Sequence, residues 1–190
     1  MKDILKDIVY HTHNLGFLTT VKVSGEESET TMFSMADDRS VIMEAKTHNP
    51  YPDMLGTFGM PQLQKLKYLL DGSEYKTDAK ISVTTGVRNE QTITTGIKFE
   101  NATGDFKNDY KFMLMEIINE KMKTVKFRGV KWDVEVVPSL AGVQRFNFQA
   151  GANSEHPTFL AKTEDGNLKF IFGDAGSHGG EFVFATDTIG

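Results

Sequence analysis

The chain has 190 residues, enough for one large domain or two small ones, and its 39% apolar and 25% charged content is that of a soluble globular protein. With 21 basic and 26 acidic residues the formal net charge is -5, which excludes a nucleic-acid binder that works by bulk charge and leaves only a local patch for any DNA contact. The lack of cysteine excludes disulfides and thiolate metal sites and points to an intracellular, cytoplasmic setting. The N-terminus is too charged for a signal peptide, and no apolar run reaches membrane-spanning length.

Residues 2–15 read as a helix, with Ile4, Leu5, Ile8, Val9 and Leu15 on one face and Lys2, Asp3, Lys6, Asp7 and His13 opposite. A meander of strands follows over Phe17–Ser24, Glu29–Ala36 and Val41–Lys46, and a proline-containing loop crosses to Leu55. Leu55–Gly72 organises what surrounds it. The stretch opens as a short strand, turns on Gly56 and Gly59, and enters a helix with Pro61 in its first turn, where a missing N–H costs nothing. Leu63, Leu66, Leu69 and Leu70 form its apolar side, with Gln64, Lys65 and Lys67 largely outside it. Gly72 is expected to supply a left-handed stop.

Further strands are expected over Ala79–Thr85, Thr92–Phe99 and Tyr110–Glu116. Residues 117–130, rich in lysine, read either as an extended basic connector between a first domain at 1–116 and a second at 131–190 or, equally, as an ordinary exposed strand or hairpin with a solvated lysine face. The second begins with a strand, Lys131–Val137, and a helix from Pro138 with Leu140, Val143 and Phe146 on one face. A hairpin of Phe159–Thr163 and Leu168–Phe172 turns on Asp165-Gly166, and Glu181–Thr186 is the last strand.

No catalytic or metal constellation emerges. His11 and His13 point apart on a helix, and the glycine-rich stretch 173–181 lacks the Lys-Ser/Thr ending of a phosphate loop. Asn101-Ala102-Thr103 matches a glycosylation sequon but reads as a turn, and Trp132 reads as core. The expectation is a binding or assembly protein that is not an enzyme and needs neither metal nor cofactor.

Helix followed by three strands occurs at 2–46 and again, led by one extra strand, at 131–186. Together with the segment TFGMPQLQKLKYLL, the strand AKISV after it, and the linker into a second strand–helix start, this order resembles the DNA polymerase sliding clamps, most closely those of T-even-like tailed phages. The resemblance spans most of residues 1–187. It implies an α+β, DNA-clamp-like fold of two similar domains, antiparallel sheets outside and short helices on the inner face, with the second domain incomplete. It also implies a non-enzymatic homotrimeric ring in the host cytoplasm that encircles double-stranded DNA without sequence preference. Such a ring is opened by a clamp loader and tethers DNA polymerase.

Under that resemblance the DNA-facing residues are Lys2, Lys6, Lys65, Lys67 and Arg145. A pocket for partner peptides beside the connector would draw on Met35, Ile118, Met122, Val125 and Phe127. Glu181–Thr186 would pair with Tyr110–Glu116 of a neighbouring subunit. Two other classes fit the composition: a β-rich phage structural protein of tail or baseplate without DNA function, and a β-rich ligand-binding enzyme domain.

Overall fold

The computed structural model describes residues 1–88, 90–123, 129, 131–174 and 176–186. The chain is a mixed α+β protein with three antiparallel sheets and short helices, divided into two compact units, Met1–Val125 and Lys126–Gly190.

In the first unit, helix α1 (Lys2–His11) is followed by strands β1 (Val21–Gly25), β2 (Thr30–Met35), β3 (Ile42–Lys46) and β4 (Gly56–Met60). They form a four-stranded sheet in the order β3-β2-β1-β4. Helix α2 (Leu63–Asp71) leads into β5 (Lys80–Arg88), β6 (Gln91–Glu100) and β7 (Lys107–Lys111), a second sheet in that order. The two sheets are tied edge to edge at one residue pair. Gly59 N–H donates to the Met113 carbonyl at 2.9 Å, and Met113 N–H returns to Gly59 at 2.7 Å. Phe58 and Phe112 stack across this junction with ring centroids 4.3 Å apart.

Both helices pack on one face of these sheets and against each other. Ile4, Leu5, Ile8 and Val9 of α1 and Leu63, Leu66, Leu69 and Leu70 of α2 are buried with Val21, Val23, Phe58, Met60, Ile97 and Phe99. Each such side chain contributes roughly 1.5–3 kcal/mol, whereas an exposed ion pair contributes about 0–1 kcal/mol. The leucine stripes therefore hold the helices down, and their lysines are not needed for it. The first N–H of α2 is satisfied by the Thr19 carbonyl at 3.1 Å, and the buried Tyr110 hydroxyl donates to the Pro61 carbonyl at 2.5 Å.

Several local expectations are corrected. Helix α1 ends at His11, and His13–Leu15 form a separate 3-10 turn. Pro61 precedes α2 instead of lying in its first turn, because Gln62 takes a left-handed conformation at φ 52°. Gly56 does turn, at φ 91°, but Gly59 is paired inside β4. Gly72 ends α2 at φ -58° and ψ 135°, so it is not a left-handed stop. The strand expected over Tyr110–Glu116 stops at Lys111, and helix α3 (Met115–Lys121) follows.

That helix also corrects the extended reading of residues 117–121. Side chains alternate along a strand, so Gly59 faces away from Phe58 and Met60 and towards α3. A Cβ on Gly59 would lie 2.8 Å from Ile118 Cδ1. Helix α3 thus covers the sheet face opposite α1 and α2, burying Ile118 and Met122.

The second unit holds helix α4 (Leu140–Ala152) and strands β8 (Phe159–Glu164), β9 (Asn167–Phe172) and β10 (Gly180–Ala185), a meander in the order β10-β9-β8. Ser139 caps α4 by accepting from Gly142 N–H at 3.0 Å. Register places Phe159, Phe170, Phe172, Phe182 and Phe184 on one sheet face, and Phe146 of α4 meets three of those rings at 5.2–6.0 Å. The buried side of α4 runs through Gly142 and the adjoining Asn153, not through Leu140 and Val143, which are exposed. Residues 131–137 form no strand, and Trp132, expected in a core, is 59% exposed.

Gly25→Ala is expected to destabilise the first unit by about 3 kcal/mol or more, because its Cβ would lie 1.8 Å from the Met54 carbonyl oxygen, which is backbone and cannot swing aside. Urea unfolding followed by circular dichroism measures this. In the β8–β9 hairpin, Glu164 accepts from Lys169 at 2.5 Å and Lys162 at 3.1 Å, and these bonds lower its carboxyl to about 2. A lowered folded-state value means the contribution is present above the ordinary carboxylate range and is lost as pH falls through about 2. Carboxyl NMR titration should place the Glu164 midpoint there, and Lys169→Met should raise it.

Candidate nucleic-acid interface

The solvent sides of α1 and α2 form one composite face of the first unit. It exists because each helix turns its aliphatic stripe to the sheet, leaving Asp3, Lys6, Asp7 and Tyr10 outward on α1 and Gln64, Lys65, Tyr68 and Asp71 outward on α2. Lys6 and Lys67 line a groove of about 410 Å³ between the helices, with Tyr10, Asn14 and Asp71. Lys65 lines a second groove of about 580 Å³ with His13, Gln62 and Tyr68.

The cations on this face are unequally available. Lys2 is half-buried, and its ammonium donates to the carbonyls of Tyr75 and, at 3.1 Å, Lys76. It fastens the start of α1 to the 3-10 turn after α2. Lys67 is half-buried and pairs with Asp71 at 2.5 Å, one helical turn on. The hydrogen bond from Lys67 holds the Asp71 carboxyl below its ordinary value, with the charges of Lys67, Lys6 and Lys76 adding to it. Lys6 and Lys65 are exposed and make no ion pair among the described residues. Of the five sequence-predicted DNA-facing residues, the first unit brings Lys6, Lys65 and Lys67 to the composite face and diverts Lys2 to backbone carbonyls. Arg145 is exposed on α4 of the second unit.

Of the residues expected to line a peptide pocket, Met35 is half-buried at the end of β2, and Ile118 and Met122 are buried under their own helix. Val125 and Phe127 lie outside the described residues. Of the edge expected at Tyr110–Glu116 for a neighbouring subunit, Tyr110 and Lys111 lie in β7, the last strand of its sheet, Met113 bridges Gly59, and residues 115–116 are helical.

Sequence reasoning overlooked Tyr10 and Tyr68, which are 65% and 80% exposed on the two wet helix faces, Tyr10 in the last turn of α1. The signal was present: Tyr10 follows Lys6 by four residues and Tyr68 follows Gln64 by four, so both fall opposite the apolar stripes. No family model matches the chain, and no curated protein matches it. Among the described residues no helix is long and apolar enough to cross a membrane.

Replacing Lys67 with Met should raise the Asp71 carboxyl towards its ordinary value. Asp71 is lowered when folded, so its pair with Lys67 is intact above the ordinary carboxylate range and weakens as pH falls through the folded value. Carboxyl NMR titration of the two proteins checks the sign, and an unchanged Asp71 midpoint would contradict the assignment of cause.

Proposed function

We propose that the chain is a sliding clamp subunit, a non-enzymatic protein that assembles with copies of itself into a ring around duplex DNA and tethers a DNA polymerase. The observation that carries the reading is the pair of helices laid side by side on one face of edge-joined antiparallel sheets, with lysines on the side turned from the core. The second unit begins in the same order, a helix and then a three-stranded meander, which supports a repeated architecture.

Physically, a ring needs little affinity for DNA. Non-specific attraction to phosphates requires cations on one face and no base-reading groups. A face with Lys6, Lys65 and Lys67, moderated by Asp3, Asp7 and Asp71, gives weak attraction that permits sliding, while topology prevents escape. The clamp-like fold, homotrimeric assembly, clamp loader and polymerase partners belong to this proposal.

Topology provides the test. The protein is assembled in the presence of nicked circular DNA, its subunits are cross-linked, and the complex is denatured. A ring stays on the circle under denaturing conditions and leaves when the circle is cut. Protein that is monomeric at all concentrations, or is stripped from circles and linear DNA alike, refutes the reading. A tail or baseplate protein would give that second result.

A further inference from the structure

The composite helical face is nearly balanced in charge. Lys2 is occupied by backbone carbonyls and Lys67 by Asp71, and Asp3 and Asp7 are exposed beside Lys6. A polyanion approaching this face meets little net attraction from its ammonium groups. It does meet two phenol rings. Tyr10 stands at the groove holding Lys6 and Lys67, and Tyr68 at the groove holding Lys65 and His13.

Their exposure needs a reason, since the ring of a tyrosine gains by burial and both helices have apolar sides where one could sit. Tyr75 and Tyr110 of the same unit are buried, at 2% exposure each, with hydroxyls hydrogen-bonded to Asn108 and the Pro61 carbonyl. Tyr10 and Tyr68 instead present hydroxyls to solvent beside lysines. A tyrosine side chain is stiff, with two rotatable bonds, so fixing it on a ligand costs less entropy than fixing a lysine. Its hydroxyl is a donor to phosphate oxygen, and the ring edge is apolar enough to lie against deoxyribose.

We propose that Tyr10 and Tyr68 are contact residues for the sugar–phosphate backbone of duplex DNA, donating from their phenol hydroxyls to phosphate oxygens. This rests on the reading of the helical face as the side turned to DNA. These hydrogen bonds release no counterions, so binding to this face depends weakly on salt. With Lys6 and Lys65 as its unpaired cations, the plot of log affinity against log salt has a slope no steeper than about -2.

Fluorine NMR on the full chain labelled with 3-fluorotyrosine tests the proposal, with each of the five tyrosines assigned by its Tyr→Phe variant. Adding a non-specific duplex should shift the Tyr10 and Tyr68 signals and leave those of the buried Tyr75 and Tyr110 in place. The Tyr10→Phe, Tyr68→Phe double variant, which keeps the rings and loses the hydroxyls, should bind the duplex roughly tenfold more weakly. If the duplex moves the amide signals of Lys6 and Lys65 but neither fluorotyrosine, the tyrosine contacts are wrong and the DNA-facing assignment stands. If none of these four positions responds, the DNA-facing assignment fails as well. A larger tyrosine response to the single strand than to the duplex overturns the duplex contact.

Discussion

The first unit depends on a close approach at Gly59. Here the edge of one sheet meets the end of the other through two backbone hydrogen bonds, while the same residue is pressed by Ile118 and Met113 on the opposite face. Any side chain at position 59 would have to displace Ile118, whose nearest atom is already 2.8 Å from where a Cβ would sit. The junction lets Phe58 and Phe112 stack on the core side, and so lets α1 and α2 lie on a surface drawn from both sheets. With it, and with the Thr94 hydroxyl donating to the Leu55 carbonyl at 2.9 Å, the leucines of α2 share one core with Phe58, Met60, Ile97 and Phe99. The position of every side chain on the composite helical face follows from that floor.

The second unit uses a different economy. Its helix contributes few aliphatic contacts, and its packing is aromatic, with Phe146 set among Phe159, Phe170 and Phe172 and with Phe170 stacked on Phe184 at 4.5 Å. Large rings bury much area for each residue used, which suits a single helix over a three-stranded meander. Glycine is required where helix and sheet close: a Cβ on Gly180 would lie 2.2 Å from Gln149 Oε1, and one on Gly142 would lie 3.1 Å from the Phe184 carbonyl. The shared order of helix and meander in the two units is therefore a likeness of topology, reached with unlike cores.

What could be read from the sequence was what periodicity encodes. The stripes of α1 and α2, the meander after α1, and the Asp165-Gly166 hairpin each have a local cause, and each is present. Helix α3 was hidden because its buried contacts, Ile118 and Met122, form one short stripe inside a lysine-rich run, and the partner that makes it a helix is the bare backbone of Gly59, far away in sequence. The segment 131–137 alternates like a strand, but alternation without a pairing neighbour does not make one. Leu140 and Val143 looked like a packing face because they are apolar, whereas α4 turns a glycine, Gly142, to the sheet so that the helix can come close. At the candidate site, charge type was legible and charge availability was not. Nothing local in the sequence reveals that the Lys2 ammonium ends on the carbonyls of residues 75 and 76.

That last distinction governs how the helical face can act. Counting lysines suggests an attractive surface, but an ammonium already satisfied by backbone carbonyls offers a phosphate little, and one paired with a carboxylate must break that pair first. Lys67 and Asp71 are both substantially exposed, so their pair is weak enough to exchange partners at small cost. Under the sliding-clamp proposal this weak, exposed pairing lowers the hold of the face on any one phosphate, as suits a surface that stays near a polyanion without stopping on it. A face of unpaired lysines would hold DNA more tightly and would hold it still; in the proposed ring, acids among the lysines trade affinity, which topology makes unnecessary, for mobility.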